Sequence, residues 1–391
     1  MTTTVADVIA GVPGAIRYSP RFERRSRDNV FKQDITKGIN GCTIDLDNDR
    51  VTMRIARFVV DGGEIEFNSW SFRDDFVAVF VDFQMPDESI QSFPLGFYQF
   101  SKPTRQLSDK PQTWSVSASD LTDQVNQAEF DDTYTVAAGT NVIVATRAIL
   151  DLLGLRHNMP GGFGNVSNAF VYPLKTSYLA AINEILRCQN LFNTYPNEIG
   201  EFSATLRLRP DQYVYDANGA VYTINLANRI AVTYDIDNEP RMILLPGGQF
   251  TPEATNQLPN KAVLAINDPN NPAIAGTTFL DNNDPQSPIS QVSKGANTVL
   301  REGVDRVAQV VLWGLYELAE ADTRAETLSF TTFLDPRRTA HEYYRLSNIP
   351  GIDTNIVGWR VMNWQMDLFT GIMAHKVGAV RRINLNIAAI L

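Results

Sequence analysis

Apolar residues along this chain fall into three successive patterns. From residue 13 to 120 they come in short runs rich in β-branched and aromatic side chains, separated by turn clusters. Cys42-Thr-Ile-Asp-Leu46 leads into the turn Asp47-Asn-Asp49, and the run Val51 to Val60 closes at Asp61-Gly-Gly63. Asp75 to Phe83 is long and almost wholly apolar, and Phe93 to Phe100 and Thr113 to Ser119 follow. Spacings of about 10–20 residues favour antiparallel pairing, in a barrel or a sandwich.

Near Ser119 the period changes. Val142, Ala145, Ile149 and Leu152 recur at helical spacing over 141–153, with Thr140 or Asn141 to cap the start and Gly154 after the end. A second helix is expected over 175–191, on the stripe Leu179, Ile182 and Leu186, with Met159-Pro-Gly-Gly-Phe-Gly164 as a loop between the two. Strand character returns at Asn228 to Tyr234, and Pro- and Asn-rich loops cover 245–260 and 267–295. A third helix is expected over 299–323, on Val304, Val307, Val311, Leu315 and Leu318, and strands resume from Thr327 to a final alternating run at Val380 to Ala388. The division is therefore 1–120 β-rich, 121–225 a small inserted α/β unit, and 226–391 β-rich with one flanking helix. The fold class is α+β, dominated by β.

Composition narrows the function. The chain has 391 residues, 44% hydrophobic and 20% charged, with a net charge of −10. That is ordinary globular composition, and it lacks the basic surplus of a dedicated duplex-DNA reader. No apolar run reaches the length of a membrane span, and the first residues lack the basic and apolar regions of a signal peptide, so manufacture in a cytoplasm without Sec export is expected. The two cysteines, Cys42 and Cys188, are either a reduced buried pair or one bridge.

Catalytic signatures are missing. Three histidines, His157, His341 and His375, share no metal-ligand spacing, and His341-Glu-Tyr-Tyr-Arg345 has arginine where a zinc protease needs its second ligand. Asp45 to Asp49 begins like a calcium loop, but Arg50 and Ala56 stand where glycine and glutamate are required. Gly161, Gly162 and Gly164 lack the lysine of a phosphate cradle. The expectation is a protein that is not an enzyme, with no cofactor and no metal.

Two features point to partners. Arg21, Arg24, Arg25 and Arg27 cluster in an otherwise acidic chain, either as a solvated loop or as a contact to an acidic partner. The segment holding Asn282, Asn283, Asp284 and Ser287 reads as an exposed turn that offers a second contact.

From Trp114-Ser-Val-Ser-Ala-Ser-Asp-Leu-Thr122 onward the chain resembles a known family. Asp132-Thr-Tyr-Thr-Val-Ala-Ala-Gly-Thr-Asn-Val142, Thr176 to Leu186, Leu226-Ala-Asn-Arg-Ile-Ala-Val-Thr233, Asn267-Asp-Pro269, Asp284-Pro-Gln-Ser-Pro288 and Thr327 to Pro336 follow in the same order. This is similar to the baseplate hub, or minor tail, proteins at the tail tip of long-tailed phages, over about residues 113 to 345. The resemblance implies two tail-tube-like antiparallel β-barrel domains with the α/β insert. It implies a homotrimer matching a sixfold tube, in contact with a distal tail protein, a tape measure protein and a central fibre or spike protein. It places the chain in the virion tail, around a DNA exit channel, with no specific nucleic-acid binding and no membrane insertion. An acidic channel wall would repel phosphates. The alternatives are a distal tail or tail-tube ring protein, a tail-associated cell-wall hydrolase, and a carbohydrate-binding adhesin using exposed Trp70, Trp359 or Trp364.

Overall fold

The computed structural model describes residues 17–381, except 66–69, 72–73, 86, 102–112, 190, 206–212, 216–220, 224–229, 236–241, 244–249, 253–257, 267–275, 282–286, 290–297, 304–306 and 348–355. Seven strands open the chain: β1 (Arg17–Ser26), β2 (Phe31–Asp34), β3 (Ile39–Asp47), β4 (Arg54–Asp61), β5 (Asp75–Gln84), β6 (Ile90–Phe100) and β7 (Thr113–Asp120). In β3 and β4 the alternation fixes the faces, with Cys42, Ile44, Leu46, Ala56, Phe58 and Val60 buried and Thr43, Asp45 and Arg57 on the other side.

β5 is buried on both faces, which is why it reads as an unbroken apolar run. Val77, Val79, Val81 and Phe83 join the core of the large sheet. Phe76 and Ala78 point the other way, into the core of the middle unit, where Phe76 stacks on Phe97 at 4.8 Å.

That middle unit holds α1 (Thr122–Gln127), β8 (Tyr134–Val136), α2 (Val142–Leu152), β9 (Phe170–Tyr172), α3 (Tyr178–Arg187), β10 (Tyr195–Pro196) and β11 (Phe202–Ser203). Asn141 caps α2, its side-chain oxygen accepting from the amides of Ile143 and Val144, and Ser177 caps α3 by accepting from Ala180. Gly154, at φ 63°, ends the first of these helices. The buried stripes Ile149 and Ala145 of α2 and Ile182, Ile185 and Leu186 of α3 close the core.

The rest of the chain contributes β12 (Tyr213–Tyr215), β13 (Val221–Thr223), β14 (Ile230–Asp235), β15 (Met242–Ile243), β16 (Phe250–Pro252), β17 (Lys261–Ile266), β18 (Gly276–Asp281) and β19 (Thr298–Gly303). Then come α4 (Val307–Ala325), β20 (Glu326–Phe333), β21 (Tyr343–Ser347), β22 (Ile356–Asp367) and β23 (Ile372–Arg381). The third helix thus starts later than its apolar stripe predicts. Thr298 to Gly303 instead runs as a strand parallel to β17, a pairing that overrides helical periodicity in a segment opened by β-branched Thr298 and Val299. Of the final expected strand only Val380 and Arg381 are described, as the end of β23, and the rest lies outside the described residues.

Strands from both ends of the chain form one sheet. Its path runs β15-β20-β23-β22-β3-β4-β7-β6-β5-β1-β2, with β14, β16 and β21 attached at the sides, for 14 strands in all. Apart from β14, which pairs parallel with β21, its ladders are antiparallel. The seam is β3 against β22, in the register Asp45–Gln365 and Asp47–Asn363. One apolar core serves both halves, running from Phe22, Phe58 and Val79 to Trp359, Met366 and Val377. Among the described residues this sheet is open, and no closed barrel is formed.

Candidate functional site

The described residues contain no group of three or more His, Cys, Asp and Glu side chains placed to hold a metal, and no helix among them is long and apolar enough to cross a membrane. Cys42 and Cys188 are both buried, one in each major core, and no disulfide links them. His157 faces Asp151 at 3.1 Å. His375 is buried between the hydroxyls of Thr332 and Tyr344, at 2.9 and 3.3 Å, and stacks on Phe330. Burial pushes its pKa down to about 3, so the ring is neutral. Trp70, Trp359 and Trp364 are all buried, which removes the aromatic surface on which the adhesin alternative rested.

The arginine cluster is a strand, not a loop. Along β1, Tyr18, Phe22 and Arg24 face the core side, and Phe22 is fully buried. The guanidinium of Arg24 lies 4.9 Å over the ring of Trp70 and donates to Asp75 at 2.6 Å. Arg21 and Arg25 lie over the ring of Phe80, at 4.3 and 5.3 Å, and both pair with Glu23. Arg21 also donates to Asp82 at 2.7 Å. Arg27 donates to the carbonyl of Leu153 at the end of α2. These cations are therefore joined to this chain's own acids and carbonyls, and their aliphatic stems cover apolar rings. Lys32 and the amide of Ser71 complete the shell around Asp75, whose carboxyl these hydrogen bonds hold at about 2 against the opposing effect of burial.

The second predicted contact divides. Asn282, Asn283 and Asp284 lie outside the described residues. Ser287 is not on a surface: its side chain is buried, and its Oγ donates to Asp322 of α4 at 2.6 Å. A short polar side chain reads as exposed in sequence, but a buried carboxylate needs donors, and Ser287 supplies one.

The feature that sequence reading missed is a continuous polar face. Across the seam, the registers Arg57–Thr43, Asp45–Gln365–Ala374 and Asp47–Asn363–Lys376–Ser329 set outward side chains side by side from β4 to β20. They frame a shallow groove of about 650 Å³, floored by Trp364 and His375. Gln365 donates to Asp45 at 2.5 Å, Arg57 pairs with the same carboxylate, and Arg50 pairs with Asp47 at 2.9 Å. Asp45 and Asp47 stand against Arg50, Arg57 and Lys376 along the groove, so the chain's net acidity is not concentrated here. The arrangement presents amides and matched charges.

Solved structures share the fold along most of this chain. The tail protein from Neisseria meningitidis MC58 superposes with a TM-score of 0.61 at 11% identity, over 92% of this chain and 96% of that one. The 43 kDa tail protein of prophage MuSo2 from Shewanella oneidensis gives 0.57 at 9% identity, over 93% and 97%. The chain has the fold of phage-type tail proteins. Prophage tail protein gp18 from Listeria monocytogenes EGD-e matches as well, at 0.56 and 11% identity over 92% and 94%. A chain of the half-lidded Francisella PdpA–VgrG complex matches at 0.52 and 7% identity, over 99% of this chain but 62% of that one. No family model matches the sequence, and no curated protein does.

Proposed function

We propose that this chain is a structural protein of a phage-type tail in the virion: a tail-tip hub that assembles as a homotrimer. The observation that carries the reading is the extent of the likeness to tail proteins, which takes in both β-rich blocks and the middle unit. A single-barrel tube or distal ring protein accounts for only part of that length. In this reading each β-rich block supplies one tube-like unit, and three chains supply six, so that a threefold hub meets a sixfold tube. Its partners are a distal tail protein, a tape measure protein and a central fibre or spike. The polar face of β4, β3, β22, β23 and β20 is assigned to the DNA channel. Arg57 and Arg50 are matched there by Asp45 and Asp47, which denies phosphates an unopposed arginine cluster. The partly exposed stems of Arg21, Arg24, Arg25 and Arg27 are assigned to a contact with a neighbouring ring.

Mass photometry of the purified chain, alone and with its tail partners, tests the reading. The expected result is a trimer, or a monomer that becomes a threefold ring only with partners. A stable dimer, or a hexamer alone, overturns it.

A further inference from the structure

The loop between β20 and β21, residues 334–342, touches all three parts of the molecule. His341 has a left-handed backbone, φ 58°, which costs a non-glycine residue energy and persists only where its surroundings enforce it. Its ring stacks on Phe192 of the middle unit, with centroids 3.8 Å apart, and meets Tyr195 edge-on at 5.1 Å. Its amide donates to Asn48 in the turn between β3 and β4. Asn48 is buried there, donating from its amide to Met362 and from its side chain to Val361 of β22. The next residue, Glu342, accepts the amide of Val361 on its carbonyl.

We infer that this loop is a joint that fixes the middle unit and the β3–β4 turn to the C-terminal half, and that the charge on Glu342 sets how firmly it is held. The Glu342 carboxylate is largely enclosed, accepting from Arg338 at 3.4 Å and from Thr339 at 3.3 Å. The charged and titratable groups around it are Arg338 and Asp335 on its own loop and the phenol of Tyr195 on β10. His341 adjoins it in sequence, and Arg360 on β22 is the register partner of Tyr343. Asp335 is itself occupied by Arg337 at 2.8 Å and Arg338 at 3.3 Å, so Arg338 divides its charge between two acids. Burial therefore prevails over this partner and raises the Glu342 carboxyl to about 7.

The sign follows from linkage. A carboxyl with a raised value favours the closed joint while it is protonated, and that advantage is lost as pH climbs through the folded value. With about 7 in the closed joint and 4.5 when exposed, the opening equilibrium rises about tenfold between pH 6 and pH 8.

Hydrogen exchange of the full-length chain tests this, following the amides of His341 and Val361, with observed rates corrected for the intrinsic dependence on pH. The expected result is about a tenfold loss of protection from pH 6 to pH 8 in the native chain, and a flat response in Glu342→Gln. A flat native profile, or the same loss in the variant, overturns the proposal. The native profile stands as the test if the variant does not fold.

Discussion

Because β5 separates two cores, adjacent residues on it belong to different ones, and substituting them should loosen different halves of the molecule. Phe76 and Val77 are both fully buried, the first in the middle unit's core and the second in that of the large sheet. Removing a buried phenylalanine side chain costs about 3–5 kcal/mol, and the stack on Phe97 adds weight at the upper end. Val77→Ala removes two methyl groups and costs about 2 kcal/mol with its cavity. Hydrogen exchange resolved by peptide, alongside urea unfolding, reads both quantities. Phe76→Ala should expose α2 and α3 while β3 and β4 keep their protection, and Val77→Ala should do the reverse. The reasoning fails if Phe76→Ala loosens β3 and β4 as much as the helices, or if its cost is below about 1 kcal/mol.

Two further predictions concern buried charge. Arg54 is 2% exposed, pairs with Glu198 and takes the Asp120 carboxylate on its backbone amide, so Arg54→Met should cost about 3–5 kcal/mol in urea unfolding. Adding Glu198→Gln should recover part of that loss; no recovery would show that the pair is not the cause. His375 stays neutral down to about pH 3, whereas an unfolded histidine takes up its proton near 6.5. Stability should therefore fall as pH drops from 6.5 toward 3, and in His375→Asn the stability–pH slope should be shallower by about 1.4 kcal/mol per unit. Parallel profiles for the two chains would refute it.

What the sequence discloses here depends on whether a pattern is local. The caps Asn141 and Ser177, the 3.6-residue stripes of α2 and α3 and the two-sided burial of β5 are all written in neighbouring residues. β1 was hidden because its arginines look solvated, while their stems lie over Phe80 and Trp70. Alternation identifies which residues of β3 and β22 point outward, but it does not reveal that the two strands are neighbours. The polar face existed in sequence only as separate fragments, and Ser287 was misplaced because its partner, Asp322, lies in a distant helix.

The seam also sets a schedule for synthesis. Asp45 must meet Gln365, so β3 cannot gain this partner until some 320 further residues have been made. Until then the first seven strands wait with one long edge open, the situation in which nascent β proteins aggregate. The waiting edge carries Asp45 and Asp47 at alternate positions, and charges of that kind discourage premature pairing with another chain. The acids that line the groove in the finished molecule thus serve as guards of an unfinished one.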